Sequence, residues 1–332
     1  MKILITGIAG LIGTHFSKYL LDKGYDIIGI DNLSGGYIEN IDQRLITNKF
    51  FQIDLINGED INKIFNLHKP DVVFHFAAYA AEGLSPFIRK YNYENNVICS
   101  INVINECIRY NVKKLIFTSS MAVYGYGNPP FSENQLLSPI DPYGIAKYTV
   151  EQDIKQAYEQ FGLNYTIIRP HNIIGIYQNI WDIYRNVIGI WIRRILDNHS
   201  IIIYGDGLQQ RAFSNIKFYM EPLEKIINDF NTETFNIGAD KYFSILDVAQ
   251  ILQTITKKYN YECKIQHQEP RHEVKHAYCD HTKAKTVLEF KDETNLEDLI
   301  ESVFVWAMSQ PNRKVKRMDY EVTKNIYDYW RN

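Results

Sequence analysis

A chain of 332 residues is long enough for one large or two medium domains with a substantial core. Apolar residues make up 45% and the net charge is −3, which suits a soluble globular protein and excludes a global basic field for nucleic acid. No apolar run approaches membrane-span length, the chain enters a strand pattern at Lys2 without a cationic leader, and Cys99, Cys107, Cys263 and Cys279 show no disulfide or Cys-x-x-Cys spacing, so a cytoplasmic protein with neither a membrane nor a nucleic-acid partner is expected.

Lys2-Ile3-Leu4-Ile5-Thr6 reads as a short buried strand. Gly7-Ile8-Ala9-Gly10-Leu11-Ile12-Gly13 follows, then an amphipathic stretch to about Leu21. Glycines there allow a tight turn and close approach of backbone to a pyrophosphate, with a helix N-terminus facing the phosphates. The spacing is Gly-x-x-Gly-x-x-Gly rather than the commoner Gly-x-Gly-x-x-Gly, but strand before and helix after favour a cofactor loop over a plain turn. A second strand, 25–30, ends at Asp31, about twenty residues beyond the loop, where a carboxylate accepts bonds from ribose hydroxyls. The same charge repels a 2′-phosphate, which favours NAD over NADP.

Residues 50–53 form a third strand closed by Asp54-Leu55, and 59–67 a short helix. The continuous apolar run 71–76 suits a buried parallel strand and leads into Ala77-Ala78, small residues that let a cofactor lie close. A helix is expected over 92–110 and a strand over 114–118, ending at Ser119-Ser120.

Tyr143 and Lys147 then lie on one face of a helix that Pro142 opens and that runs to about Phe161. A nearby ammonium favours the phenolate, so Lys147 can make Tyr143 a base. A serine hydroxyl ahead of the pair could hold the substrate oxygen that loses its proton. That is chemistry for oxidising an alcohol, given a hydride acceptor alongside. With a strand at 165–169, the alternation predicts a doubly wound parallel sheet, with ligands at the strand ends marked by Gly7, Asp31, Asp54, Ala77, Ser120 and Arg169.

After Arg169-Pro170 the rhythm breaks. Gly205-Asp206-Gly207 is a turn, 235–238 a short strand, and 244–257 a helix opened by a serine cap. The expected fold class is α/β: a Rossmann-like doubly wound sheet over 1–170, a smaller α+β substrate domain mainly over 171–310, and an extension over 311–332. His267, His272, His276, Cys279 and His281 cluster but match no standard metal spacing, so no metal is expected; His75 is read as a packed, hydrogen-bonded residue.

Together these motifs resemble the extended short-chain dehydrogenase/reductase family of nucleotide-sugar epimerases and dehydratases, over about residues 1–305. The resemblance rests on Thr6-Gly7-x-x-Gly10-x-x-Gly13, Asp31, Asp54-Leu55, Ala77-Ala78, Asn96, Ser120-x-x-Val123-Tyr124-Gly125, Tyr143-x-x-x-Lys147, Arg169-Pro170, Asn172, Gly205-Asp206-Gly207-x-Gln209-x-Arg211 and Arg271. It implies an NAD site at Gly7, Gly10, Leu11, Ile12 and Gly13, with Asp31 and Asn32 at the adenosine ribose and Asp54 and Leu55 flanking adenine. Ala77, Ala78, Asn96 and Pro170 would complete that site. Tyr143 would be the base, Lys147 would bind the nicotinamide ribose, and Ser120 rather than Ser119 would be the catalytic serine. Asn172, the Asn186-Val187 backbone, Arg211 and Arg271 would bind the nucleotide diphosphate, and Glu82, Ser120 and Met121 would face the sugar, with the insertion 81–87 nearby.

Departures from the family narrow the reaction. The Asp-Glu pair of 4,6-dehydratases is Met121-Ala122 here, which argues against elimination of water. Residues 171–173 and 205–211 are similar to GDP-mannose 3,5-epimerase, but its cysteine and lysine are replaced by Ala122 and, by a gapped alignment, Asp182. Hydride transfer at C4 of a nucleotide-diphosphate sugar remains, by a 4-epimerase or a C4 dehydrogenase of surface-polysaccharide sugar biosynthesis, or in reverse a 4-keto reductase. GDP is weakly favoured over UDP on that similarity. An intact Ser120/Tyr143/Lys147 set argues against the rival, a non-catalytic NAD-binding sensor or scaffold. Family members commonly pair through the helices at 92–110 and 143–161, so a homodimer or higher homo-oligomer is expected. Residues 314–332 extend past the usual family end and are expected to form a terminal helix, solvated or packed, with subunit contact as the sharper alternative.

Overall fold

The structure, a computed structural model, describes residues 1–271 and 273–331. Seven strands form one sheet: β1 (Lys2–Thr6), β2 (Asp26–Asp31), β3 (Phe50–Gln52), β4 (Val72–His75), β5 (Lys114–Thr118), β6 (Tyr165–Pro170) and β7 (Glu233–Ile237). Their spatial order is β7-β6-β5-β4-β1-β2-β3, and every neighbouring pair is parallel. Alternation along each strand feeds a core on both faces. In β1, Ile3 and Ile5 pack with Phe16 and Phe74 on one side, and Leu4 packs with Phe65 and Val73 on the other. The crossover helices are Leu11–Asp22, Gly58–His68, Cys99–Arg109 and Pro142–Phe161, all but the third close to the expected bounds.

Two expectations change. The stretch 92–110 is not one α-helix: Arg89–Tyr93 and Cys99–Arg109 flank a π-turn, Glu94–Ile98. Polar side chains there bond backbone oxygens, Asn96 Nδ2 to Asn92 O at 2.9 Å and Ser100 Oγ to Asn96 O at 2.7 Å, which is how a turn of this kind is held open. The division at residue 170 is also crossed. β7 lies beside β6, and the helix Met220–Lys225 buries Met220 and Leu223 in the same core as Phe16 of the first helix. The apolar pattern of 235–238 marks a strand but does not say which sheet receives it.

The remaining part of 171–310 has its own core, in which Trp181 and Trp191 meet Val248, Leu252, Ile300 and Phe304. The helices Val187–Leu196, Ile245–Lys258 and Leu296–Met308 supply most of it. Ser244 caps the second of these reciprocally with Asp247, at 3.0 and 2.9 Å. Short strands join it: Ile201–Tyr204 runs parallel to Ile265–Gln268, and Gln210–Ala212 lies between Tyr242–Ser244 and His276–Ala277.

Over 314–331 only Asp328–Arg331 is helical. The rest is an extended strap, because its backbone hydrogen bonds go elsewhere: Lys316 N to Trp181 O at 2.7 Å and Glu321 N to Phe87 O at 2.9 Å. Among the described residues no helix is long and apolar enough to cross a membrane.

Candidate active site

A single cleft of about 1000 Å³ follows the carboxyl ends of the strands and is closed by the smaller unit and the strap. Its floor is the glycine loop. Gly7 has φ +72°, and a Cβ there would stand 2.7 Å from Ala77 N. A Cβ on Gly13 would stand 2.2 Å from Gly7 O, so the loop and the first helical turn touch backbone to backbone. Gly10 caps that helix without a side-chain bond, leaving the N–H groups of the first turn free beside Leu11 and Ile12. Asp31 is tied to the loop: its carboxylate accepts from Ala9 N at 3.0 Å and Leu33 N at 2.7 Å. Burial raises its pKa and those two bonds lower it, with burial the larger effect. Asn32 Nδ2 donates to Asp54 Oδ2 at 3.0 Å, which aligns the expected adenosine residues along one rim with Leu55 behind them. Ala77, Ala78 and Pro170 line the cleft as expected. Glycine floor, open helix terminus and strand-end carboxylate therefore fit a dinucleotide. Asn96 does not line it: the side chain is buried one layer down, holding Tyr79 O at 3.2 Å.

Ser120, Tyr143 and Lys147 come together at the middle of the cleft. Ser120 opens the turn Met121–Val123, its Oγ accepting from Ala122 N at 3.1 Å, and its hydroxyl is hydrogen-bonded to the Tyr143 phenol. Asp141 caps the helix beneath, accepting from Gly144 N at 2.9 Å, and so fixes Tyr143 in the first turn. Lys147, one turn on, donates to Thr118 O at 2.8 Å. Ser119 also lines the cleft, but its hydroxyl is committed to Glu151, which pairs with Arg169 at 2.6 Å, so Ser120 is the serine left to the Tyr143 phenol. The expected effect of Lys147 on Tyr143 is not seen. Burial pushes the phenol up, opposed chiefly by the Ser120 bond, and burial pushes Lys147 down to about 7. Nζ is bonded to the Thr118 carbonyl and lies 6.0 Å from the Tyr143 ring centre.

In the other half, Arg211 pairs with Glu273 at 2.8 Å, and Asn172, with φ +39°, donates to Ala212 O at 2.9 Å. Arg271 lies 3.4 Å above the Tyr204 ring. Glu82 is open to the cleft, and its carboxyl is pushed up to about 7 by its recessed position and then by the neighbouring Asp141 carboxylate. Asn186 lines the cleft, but its side chain caps a helix, accepting from Ile188 N at 3.0 Å. Met121 and Val187 do not line it. Met121 packs against Val123, Tyr124 and Phe131, and Val187 turns into the core of the smaller unit. Asp182 is fully buried, held by Tyr79 Oη at 3.2 Å and Arg185 Nε at 3.1 Å, so it is no acid or base for a substrate.

Sequence reasoning missed Arg185, Tyr79, Tyr327 and Trp330, which line the cleft. A signal for the last two was present in the density of aromatics at Tyr320, Tyr327, Tyr329 and Trp330. His75 is packed as read, between Thr6 Oγ1 at 2.7 Å and Ser100 Oγ at 2.9 Å. The histidines of the suspected cluster have separate partners: His267 meets Gly205 O, His276 meets Gln210 and His281 meets Asp240. His272 lies outside the described residues.

The model of the NAD dependent epimerase/dehydratase family matches residues 3–238. A putative UDP-glucose 4-epimerase of Methanocaldococcus jannaschii is 33% identical, over 94% of this chain and 99% of its own. The structure of UDP-glucose 4-epimerase with UDP-glucose from Thermotoga maritima is 31% identical with a TM-score of 0.84, covering 93% of this chain and 99% of that one. A UDP-N-acetylglucosamine 4-epimerase from Methanobrevibacter ruminantium, in complex with UDP-N-acetylmuramic acid, is likewise 31% identical, with a TM-score of 0.83 and the same coverage. With the cradle, the Ser-Tyr-Lys constellation and these matches in agreement along most of its length, the chain belongs to the NAD-dependent epimerase/dehydratase family of enzymes.

Proposed function

We propose that this enzyme is a 4-epimerase of a UDP-linked sugar. The observation that carries the proposal is the placement of Ser120, Tyr143 and Lys147 between the glycine floor and the arginine-bearing half, with Met121 and Ala122 at the positions where 4,6-dehydratases carry their Asp-Glu pair. NAD, when bound along the glycine floor, supplies the hydride acceptor and a cationic ring that favours the phenolate. Ser120 orients the C4 hydroxyl and Tyr143 takes its proton. Lys147, which lines the cleft, would hold the nicotinamide ribose of the cofactor. Arg211 and Arg271 neutralise the substrate diphosphate, with Asn172 and the Asn186 backbone beside it. Glu82, which lines the cleft, would face the sugar. The relatives carry UDP-sugar names, which supports uridine over the guanine weakly favoured from the sequence. Ile98, Ile145, Tyr158 and Phe161 stay exposed on the paired helices, which supports a homodimer.

A panel of UDP- and GDP-sugars in deuterated water, followed by nicotinamide absorbance and product NMR, tests this. The expected product is the C4 epimer, with NADH appearing only transiently and no deuterium at C3 or C5. Accumulating NADH would indicate a dehydrogenase instead, and a 6-deoxy-4-keto product would sink the claim that elimination chemistry is missing. Tyr143→Phe should keep NAD and lose at least about a hundredfold in turnover.

A further inference from the structure

The strap over 314–331 plays no part in the chemistry above, yet it is anchored at both ends of the cleft. Lys316 Nζ donates to Ser34 O at 2.8 Å in the loop after β2. The Glu321 carboxylate accepts from Lys90 N at 2.7 Å and Tyr91 N at 2.8 Å. Its last turn buries Trp330 against Tyr184 and Phe87, with ring centres 5.2 and 5.9 Å away.

Arg271 ends inside this arrangement. Its guanidinium lies 3.4 Å from the centre of the Tyr204 ring, 4.8 Å from that of Tyr327 and 5.0 Å from that of Trp330, and two of those rings belong to the strap. Among the described residues Arg271 has no ion-pair partner, in contrast to Arg211 with Glu273 and Arg185 with Asp182. Its Nε is buried without an acceptor, and so is Nε1 of Trp330. A buried N–H without an acceptor costs free energy, and two in one cage beside an unpaired cation call for an anion with several oxygens. Aromatic faces hold a guanidinium in place without consuming its donors.

We infer that the C-terminal strap is part of the substrate site: Tyr327 and Trp330 position Arg271, and Arg271 with the Trp330 indole N–H receives the diphosphate of the nucleotide sugar. This rests on the proposal that the cleft takes a nucleotide sugar. The strap's Lys324 and Asn325 line the same wall.

UDP alone is the probe, titrated calorimetrically into the full chain and its variants, so the readout does not depend on which sugar turns over. Trp330→Ala, Tyr327→Ala and a chain ending at residue 313 should each bind UDP about tenfold or more weakly, the loss expected for charge-assisted bonds. Trp330→Phe keeps a ring in the cage and removes only the N–H, so it should fold as the parent does and still lose severalfold. NAD affinity should stay unchanged throughout, and in turnover assays KM for the sugar should rise while kcat moves little. The double variant Arg271→Ala/Trp330→Ala should lose less than the product of the two single losses, because Trp330 acts partly through Arg271. Unchanged UDP affinity in Trp330→Ala, or losses that multiply in the double variant, would overturn the strap's role alone. A full chain that binds neither UDP nor any UDP-sugar would overturn the substrate reading itself.

Discussion

Lys147 sits beneath Tyr143 with 2% of its surface exposed, and its only hydrogen-bond acceptor among the described residues is the Thr118 carbonyl. Burial lowers its pKa from the ordinary 10.5 to about 7, partly offset by Glu151. The sign follows from linkage. The unfolded chain keeps this proton up to about pH 10.5 and the folded chain gives it up near 7, so the lysine's cost to stability is complete below about pH 7 and is relieved as pH rises towards 10.5. Lys147→Met should therefore stabilise the cofactor-free protein at pH 7, by on the order of 1–2 kcal/mol once the lost hydrogen bond is counted, while abolishing turnover. Urea unfolding of both proteins at pH 7 and pH 9.5 checks this. The gap should shrink at the higher pH, and a constant gap would show that burial leaves the Lys147 pKa unshifted. The spacing of Tyr143 and Lys147 was legible because helical period alone puts them on one face. The state of the pair was not, since it depends on how much water the fold excludes and where Nζ finds its acceptor.

At the scale of elements, the glycine loop shows which positions tolerate a side chain. Gly13 lies inside a helix, where alanine is intrinsically better by about 1 kcal/mol. A Cβ there would stand 2.2 Å from Gly7 O and 2.6 Å from Ile8 Cα, both backbone atoms that cannot swing aside. Gly13→Ala should destabilise the protein and weaken NAD binding at least tenfold, measured by titration and thermal melting. Gly58 is the control. It opens the helix Gly58–His68, and its Cβ would meet nothing nearer than Asn102 Oδ1 at 3.6 Å. Gly58→Ala should leave NAD affinity unchanged and shift stability by no more than about 0.5 kcal/mol. If Gly13→Ala behaved like Gly58→Ala, the close packing of loop and helix would be wrong.

At the scale of the whole molecule, the two halves are interleaved rather than joined by a hinge. β7 and the Met220–Lys225 helix return from the second half to the main sheet and its core, and the strap crosses from Ser34 to Trp330. Unfolding should therefore be one cooperative transition, and saturating NAD at about a hundred times its dissociation constant should raise it by about 2.7 kcal/mol without splitting it. Two calorimetric peaks, only one of which moves with NAD, would contradict this.

The sequence by itself determined the sheet, the crossover helices and the cofactor floor, because each depends on local period, glycine placement and strand-end chemistry within short stretches of chain. It also singled out Ser120, Tyr143 and Lys147, which two adjacent elements bring together. Only the tertiary structure decided what long-range packing decides. Asp182 became a buried ion-pair partner, Met121 and Val187 turned away into apolar clusters, and Asn96 went one layer below the cleft. The strand at 233–237 found its place beside β6, and the tail gave up a helix to pair its backbone with Trp181 and Phe87. Those outcomes turn on which distant surface receives a segment, and no local pattern carries that information.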